Sequence, residues 1–203
     1  MQPSSTFQQR TRIRNNTPMD LSDATSNSDL LHKGSSLDGR LILKFFLGER
    51  VHPNGRTIHE ILNIGGPKMV GSMGGVIQWL FPLTIPSRHV PSAPTLSPCE
   101  VAAFRSEPKL RELYLIGVNR FLQRWAISVH GTSASIEADF DQQKKWMYAT
   151  SHSFMPITRI LRSLKLLGFP EEFMTLRKTL LLCNKRMGGK PVDRVTFDIW
   201  IHL

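Results

Sequence analysis

The sequence predicts an all-α fold: a single compact helical domain of about six to eight helices, including a C-terminal αα-hairpin, with flexible N- and C-terminal tails. Three observations carry this. Apolar residues recur at three- and four-residue steps in two long segments: Leu110, Leu113, Tyr114, Gly117, Phe121, Leu122 and Trp125 in the first, and Ile157, Ile160, Leu161, Leu164 and Leu167 in the second. Helix start and stop signals flank them, with S-P-C-E at 97–100 and G-F-P at 168–170. A length of 203 residues suits one domain with tails.

Residues 1–38 are rich in Ser, Thr, Asn, Gln and Asp with few large apolar groups. Such a stretch cannot bury enough surface to offset its ordering entropy, so it reads as a disordered tail. The folded domain is expected over 39–187. L-I-L-K-F-F-L-G at 41–48 reads as a short helix closed by glycine, and P-N-G at 53–55 as a turn. Thr57 and Glu60 stand at capping-box spacing before the next helix.

The block G-V-I-Q-W-L-F-P-L-T-I-P at 75–86 follows the glycines 65, 66, 71 and 74. Gln78 interrupts it and Pro82 and Pro86 cut it, so it is too short to cross a bilayer. Two readings stay open. In one, Ile77, Trp79, Leu80 and Phe81 form a short buried helix or turn that Pro82 ends. In the other, Trp79 and Phe81 line a groove for an aromatic-containing peptide.

At S-P-C-E, Ser97 caps, Pro98 occupies the first helical position and Glu100 reaches back, so a helix starts at Pro98. Then K-L-R-E-L-Y-L-I-G-V-N-R-F-L-Q-R-W forms the long core helix, followed by a loop around Gly131 to Ser135. A further helix is expected through Phe140, Lys144 and Met147, with acidic groups early and lysines late. Helix-start geometry at Pro156, the stop at Gly168 and the first turn Pro170-Glu171-Glu172 predict the αα-hairpin. Past Gly188-Gly189, V-T-F-D-I-W-I-H-L alternates with period two, predicting a short strand or extended arm within a tail over 188–203.

The formal net charge is +10. From Asp141 to Arg194 eleven Lys/Arg stand against four Asp/Glu, so the excess gathers in the C-terminal third. Such a chain attracts polyanions at low salt. Arg159, Arg162, Lys165, Arg177, Lys178, Lys185 and Arg186 are candidate contacts to nucleic acid or an anionic surface, the alternative being a solvated basic face. Cys99 and Cys183 indicate no disulfide framework and fit a reducing, intracellular compartment. No signal peptide or membrane span is read.

Catalytic signatures are missing: there is no H-E-x-x-H, no G-x-S-x-G and no G-x-x-x-x-G-K-[ST]. No cofactor or metal is expected; His52 and His59, near Glu60, read as a surface pair rather than ligands. The chain is therefore expected not to be an enzyme.

Three strings point further: V-I-Q-W-L-F-P-L at 76–83, L-S-P-C-E-V-A-A-F-R at 96–105 and S-H-S-F-M-P-I-T-R-I-L-R-S-L-K-L-L-G at 151–168. In order and spacing they resemble the conserved region of the opioid growth factor receptor family, over roughly Phe45 to Lys185. The resemblance implies a soluble, mainly helical receptor module, unrelated to seven-helix receptors. It also implies an opioid pentapeptide, methionine enkephalin, as ligand, association with the nucleus and nuclear envelope, and restraint of cell proliferation. Any membrane association is then peripheral or through a partner. Ile77, Gln78, Trp79 and Phe81 are the residues where the ligand site is expected. Gly74 and Val76 stand where family members usually carry His and Tyr, and Pro156 where they carry Arg.

Overall fold

The computed structural model describes residues 40–64, 75–136, 154–189 and 192–203. The expected N-terminal tail, the glycines 65–74 and the helix expected around Phe140, Lys144 and Met147 lie outside the described residues. Among those described are eight α-helices and one two-stranded antiparallel sheet, so the chain is mainly helical rather than purely all-α.

Helix α1 (Leu41–Phe46) buries Ile42, Phe45 and Phe46. Helix α2 (Ile58–Ile64) starts at the expected capping box: the Thr57 N–H donates to Glu60 Oε2 at 2.7 Å and the Glu60 N–H to Thr57 Oγ1 at 3.2 Å. Helix α3 (Val76–Leu80) is little more than one turn. Helix α4 (Pro98–Ser106) has the complete Ser97–Glu100 capping box, and helix α5 (Pro108–Leu122) again opens on proline.

α5 carries the core. Leu110, Tyr114, Gly117, Val118, Phe121 and Leu122 face inward along one stripe, as their spacing requires. A Cβ at Gly117 would lie 3.6 Å from Leu62 Cδ2 and 3.9 Å from Leu80 Cδ2, so α2 and α3 close over this point. Helices α6 (Phe154–Leu166) and α7 (Pro170–Arg186) form the hairpin through Gly168-Phe169. Phe169 stacks on Tyr114 with centroids 5.0 Å apart and planes at 22°, and the Arg111 guanidinium lies over the Phe169 ring, 4.1 Å from its centroid.

The sheet is the first departure from expectation. A 3-10 turn at Gln123–Trp125 extends α5, and Ala126 at φ 55° breaks it. Strands β1 (Ile127–His130) and β2 (Ser133–Ile136) then pair from Ile127–Ile136 to His130–Ser133. The two-residue loop starts with Gly131 at φ 55°, the positive angle that primed hairpin turns need. Asn119 on α5 binds both backbone groups of Val129, donating to its oxygen at 2.9 Å and accepting from its nitrogen at 2.8 Å. A side-chain amide thus replaces a third strand for this residue.

The second departure is at the C-terminus. V-T-F-D-I-W-I-H-L is no strand or extended arm but helix α8 (Arg194–His202), capped by Asp193, which accepts from the Thr196 N–H at 2.9 Å. The period-two face would bury Val195 and Ile201 and expose Trp200. The helix buries Trp200 completely and leaves Val195 69% exposed. Burying an indole removes about 200 Å² from water, on the order of 5 kcal/mol as an upper bound, and the helix keeps Phe197 and Ile199 partly buried against the core beside Trp200.

Gly168 adopts φ 77° and an added Cβ would meet Arg105 Cγ at 3.2 Å. Gly168→Ala is expected to lower stability by about 1–2 kcal/mol, read as a lower urea midpoint at unchanged slope.

Candidate functional site

The I-Q-W-L-F-P string emerges from a left-handed Gly75 (φ 86°) as the single turn α3 and ends at Pro82, which cannot continue a helix. Trp79 points inward, edge-on to Phe45 at 5.4 Å and His52 at 5.5 Å. Phe81 lies deeper, edge-on to Phe121 at 5.2 Å and Tyr114 at 6.2 Å. Trp79 is 4% exposed and Phe81 fully buried, so both side chains belong to the core. Ile77 and Gln78 are half-buried and reach the rim, where Gln78 Nε2 donates to Ser87 Oγ at 3.2 Å. The four residues fall within five positions of the sequence and diverge in space.

Leaving α3 creates carbonyls with no helical partner. Arg159 Nε on α6 donates to the Phe81 oxygen at 2.7 Å and Ser163 Oγ to the Pro82 oxygen at 3.1 Å. Burial pulls the Arg159 pKa down to about 10, while the Tyr114 phenol nearby pushes it back up. Burial likewise raises the Tyr114 phenol above its usual range, opposed by Ser163 and Arg159. This arrangement holds structure and presents no reacting group to solvent.

Other residues of the expected polyanion face are also engaged with the protein itself. Arg177 donates to the carbonyls of Trp200, at 2.6 Å, and Ile201. Lys165 Nζ donates to the Leu203 carbonyl and lies 5.8 Å over the Phe173 ring. Arg162, Lys178, Lys185 and Arg186 have exposed side chains. The structure thus turns Arg159, Lys165 and Arg177 of this set toward backbone carbonyls.

The expected surface histidine pair separates. His59 is exposed, but His52 is buried, where its Nδ1 accepts from the Asn54 N–H at 3.2 Å. Desolvation lowers its pKa below the ordinary 6.5, opposed by Asn54 and the Gly75 backbone. Cys183 is buried and its thiol is pushed up to about 11, whereas Cys99 is exposed with Sγ 3.1 Å from Ser97 Oγ. Among the described residues no three His, Cys, Asp or Glu cluster as a metal site requires, and no helix is long and apolar enough to cross a membrane.

Sequence reasoning missed a groove of about 540 Å³ between the β1–β2 hairpin and α7. Its apolar walls include Ala134, Pro170, Met174 and Leu182, and its charged groups are Glu171 and Lys178. Met174 is 51% exposed and Leu182 59%, both large apolar side chains left open to water. Residues 174, 178 and 182 recur at four-residue steps along the outer face of α7, a signal visible in the sequence once the inner face is assigned.

Arg159→Met leaves the Phe81 carbonyl without its partner and is expected to cost about 1–3 kcal/mol, whereas Arg162→Met at the exposed neighbour changes stability by under about 0.5 kcal/mol. Urea unfolding of both variants checks this. For His52, the unfolded chain takes up a proton below about 6.5 while the folded site resists it, so stability is full above that pH and falls as pH drops toward the lowered folded value. Comparing unfolding at pH 7.5 and 5.5 in His52→Phe and the parent chain should show a smaller pH loss in the variant.

The sequence matches the model of the opioid growth factor receptor conserved region over residues 37–192. It is 32% identical over 168 residues to the opioid growth factor receptor of Rattus norvegicus, covering 80% of this chain and 27% of that protein. The receptor of Mus musculus is 32% identical over the same length, with 25% of that protein covered. The opioid growth factor receptor-like protein 1 of Xenopus tropicalis is 24% identical over 163 residues, covering 78% of this chain and 30% of that protein. The chain thus spans about a quarter of the length of the curated relatives it matches. No solved structure matches. Because the matched region takes in every helix from α1 to α7, the chain belongs to the opioid growth factor receptor conserved-region family.

Proposed function

We propose that this chain is a receptor-like module that binds a short, zwitterionic peptide of the opioid pentapeptide class, as the names of its relatives suggest. Family membership is the observation that carries the reading. The finer roles that go with it are a nuclear or perinuclear location and restraint of cell proliferation.

The groove beside α7 supports a place for the peptide. Its volume lies within the range of small-ligand sites, about 300–1,000 Å³. Seven residues separate Glu171 from Lys178, about 10 Å along a helix axis. An acid and a base that far apart match the amine and carboxylate of a folded pentapeptide, and Met174 and Leu182 offer apolar contact to its side chains. By contrast, Trp79 and Phe81 would have to leave the core to touch a ligand, which leaves Ile77 and Gln78 as the accessible part of the string.

Calorimetric titration with methionine enkephalin tests the reading. Saturable binding is expected, weakened about tenfold by Lys178→Glu and by Met174→Ala, and weakened modestly by salt because Glu171 and Lys178 are exposed. No saturable heat up to about millimolar peptide overturns it. Binding that changes only with Gln78→Ala moves the site to the 77–81 rim. A steep loss of duplex DNA binding with salt in the absence of peptide binding would favour the basic-module reading instead.

A further inference from the structure

The register of the hairpin makes its two edges unequal. Across an antiparallel pair, facing residues alternate between those that exchange both backbone bonds and those whose N–H and C=O point away from the partner strand. Val129 faces Ala134. Asn119 takes both backbone groups of Val129, the N–H at 2.8 Å and the oxygen at 2.9 Å, so these groups point away from β2. The Val129–Ala134 pair is therefore of the second kind, and the N–H and C=O of Ala134 point outward from the opposite edge of the sheet.

On the β1 edge the fold supplies Asn119. On the β2 edge, among the described residues, no group meets the backbone N–H and C=O of Ala134. Ser133, Ala134 and Ser135 are exposed and Ile136 is half-buried, so nothing covers most of this strand. Such an edge accepts a further length of backbone, one residue of which exchanges two hydrogen bonds with it.

The same edge borders the groove beside α7. Ala134 and Thr132 form part of its lining. Facing residues share a side of the sheet, so Ala134 lies on the side of the buried Val129, and Ser133 and Ser135 lie on the other. A backbone paired with Ala134 sends alternate side chains to Ala134's side, into the groove with Met174 and Leu182.

The charges fix a direction. A Cβ at Gly131 would lie 3.5 Å from Glu171 Oε2, so this carboxylate marks the hairpin-loop end of the groove. Lys178 stands about two helical turns further along α7. A zwitterionic peptide is thus drawn in with its amine beside the loop and its carboxylate toward Lys178. The bridge to Ala134 engages a single ligand residue, so a folded peptide makes it and keeps the spacing of its ends.

We propose that Ala134 is the main-chain recognition point of this groove: the bound peptide pairs one residue with it as a minimal third strand on β2. The inference rests on the reading of the chain as a binder of opioid-class pentapeptides and adds what that reading leaves open, a contact that selects a peptide backbone rather than any apolar zwitterion. A zwitterion of the same size without an amide has nothing to exchange with Ala134 and binds more weakly.

The test uses the full chain and methionine enkephalin. Ala134→Pro removes only the outward N–H, while the bonds of Ser133 and Ser135 to β1 remain, and an edge strand accepts proline at such a position. Calorimetry should show binding about tenfold weaker in a variant that keeps the parent's far-UV spectrum and cooperative melt. Amide exchange of the parent chain, read by NMR, reports the bond directly. The Ala134 amide should exchange rapidly without peptide and at least about tenfold more slowly at saturation, whereas the Ser135 amide, already paired with Ser128, should change little. Peptide binding that Met174→Ala and Lys178→Glu weaken, but that leaves Ala134 exchange unchanged, overturns the edge pairing and leaves the peptide reading standing. Unchanged affinity in a folded Ala134→Pro does the same. An Ala134 amide as protected as that of Ser135 in the peptide-free chain also overturns the pairing, because the edge is then occupied. Absence of saturable binding by the parent removes the peptide reading and this proposal with it. Should Ala134→Pro not fold, the exchange measurement on the parent chain decides.

Discussion

The bond from Arg159 to the Phe81 carbonyl joins segments 78 residues apart, and the arrangement of the core follows from it. α3 is too short to supply its own carbonyls with partners, and Pro82 prevents its extension. The chain must therefore leave the helix inside the protein, where an unmatched acceptor is costly. Arg159 and Ser163 meet that need from α6, and in doing so they set Phe81 against Tyr114 and Phe121 on α5.

The same solution recurs where α6 ends. Arg105 donates to the Leu166 carbonyl at 2.9 Å and Arg111 to the Gly168 carbonyl at 3.2 Å. Arg177 and Lys165 do so at the end of α8. Guanidinium and ammonium groups, with several donors and long apolar stems, suit carbonyls that lie between elements. Part of the excess positive charge is thereby a means of closing helix ends. Net charge alone could not distinguish this use from a phosphate-binding face, because both demand the same residues.

That distinction also bears on function. The string that most clearly relates this chain to its family is demanding for reasons of folding: Gln78 must remain at the rim, Trp79 and Phe81 must enter different parts of the core, and a proline must follow. The groove open to solvent lies on the outer face of α7, beside the β1–β2 hairpin. The fold core and this groove are thus separate parts of the molecule.

By itself the sequence determined helices α2, α4, α5 and α7, the Gly168 junction and the family, because capping boxes, helix-starting prolines and three-to-four spacing act locally. The hairpin β1–β2 was partly legible in Ile127 and Val129 alternating before Gly131, but its pairing with Asn119 depends on α5 being alongside. Tertiary structure decided the rest. It placed His52 inside, turned three basic residues toward backbone carbonyls and made a helix of an alternating segment, since the value of burying Trp200 depends on whether Thr158 and Phe154 are there to receive it. Local patterns report which faces are apolar; only the assembled core determines which side chain gains most by entering it.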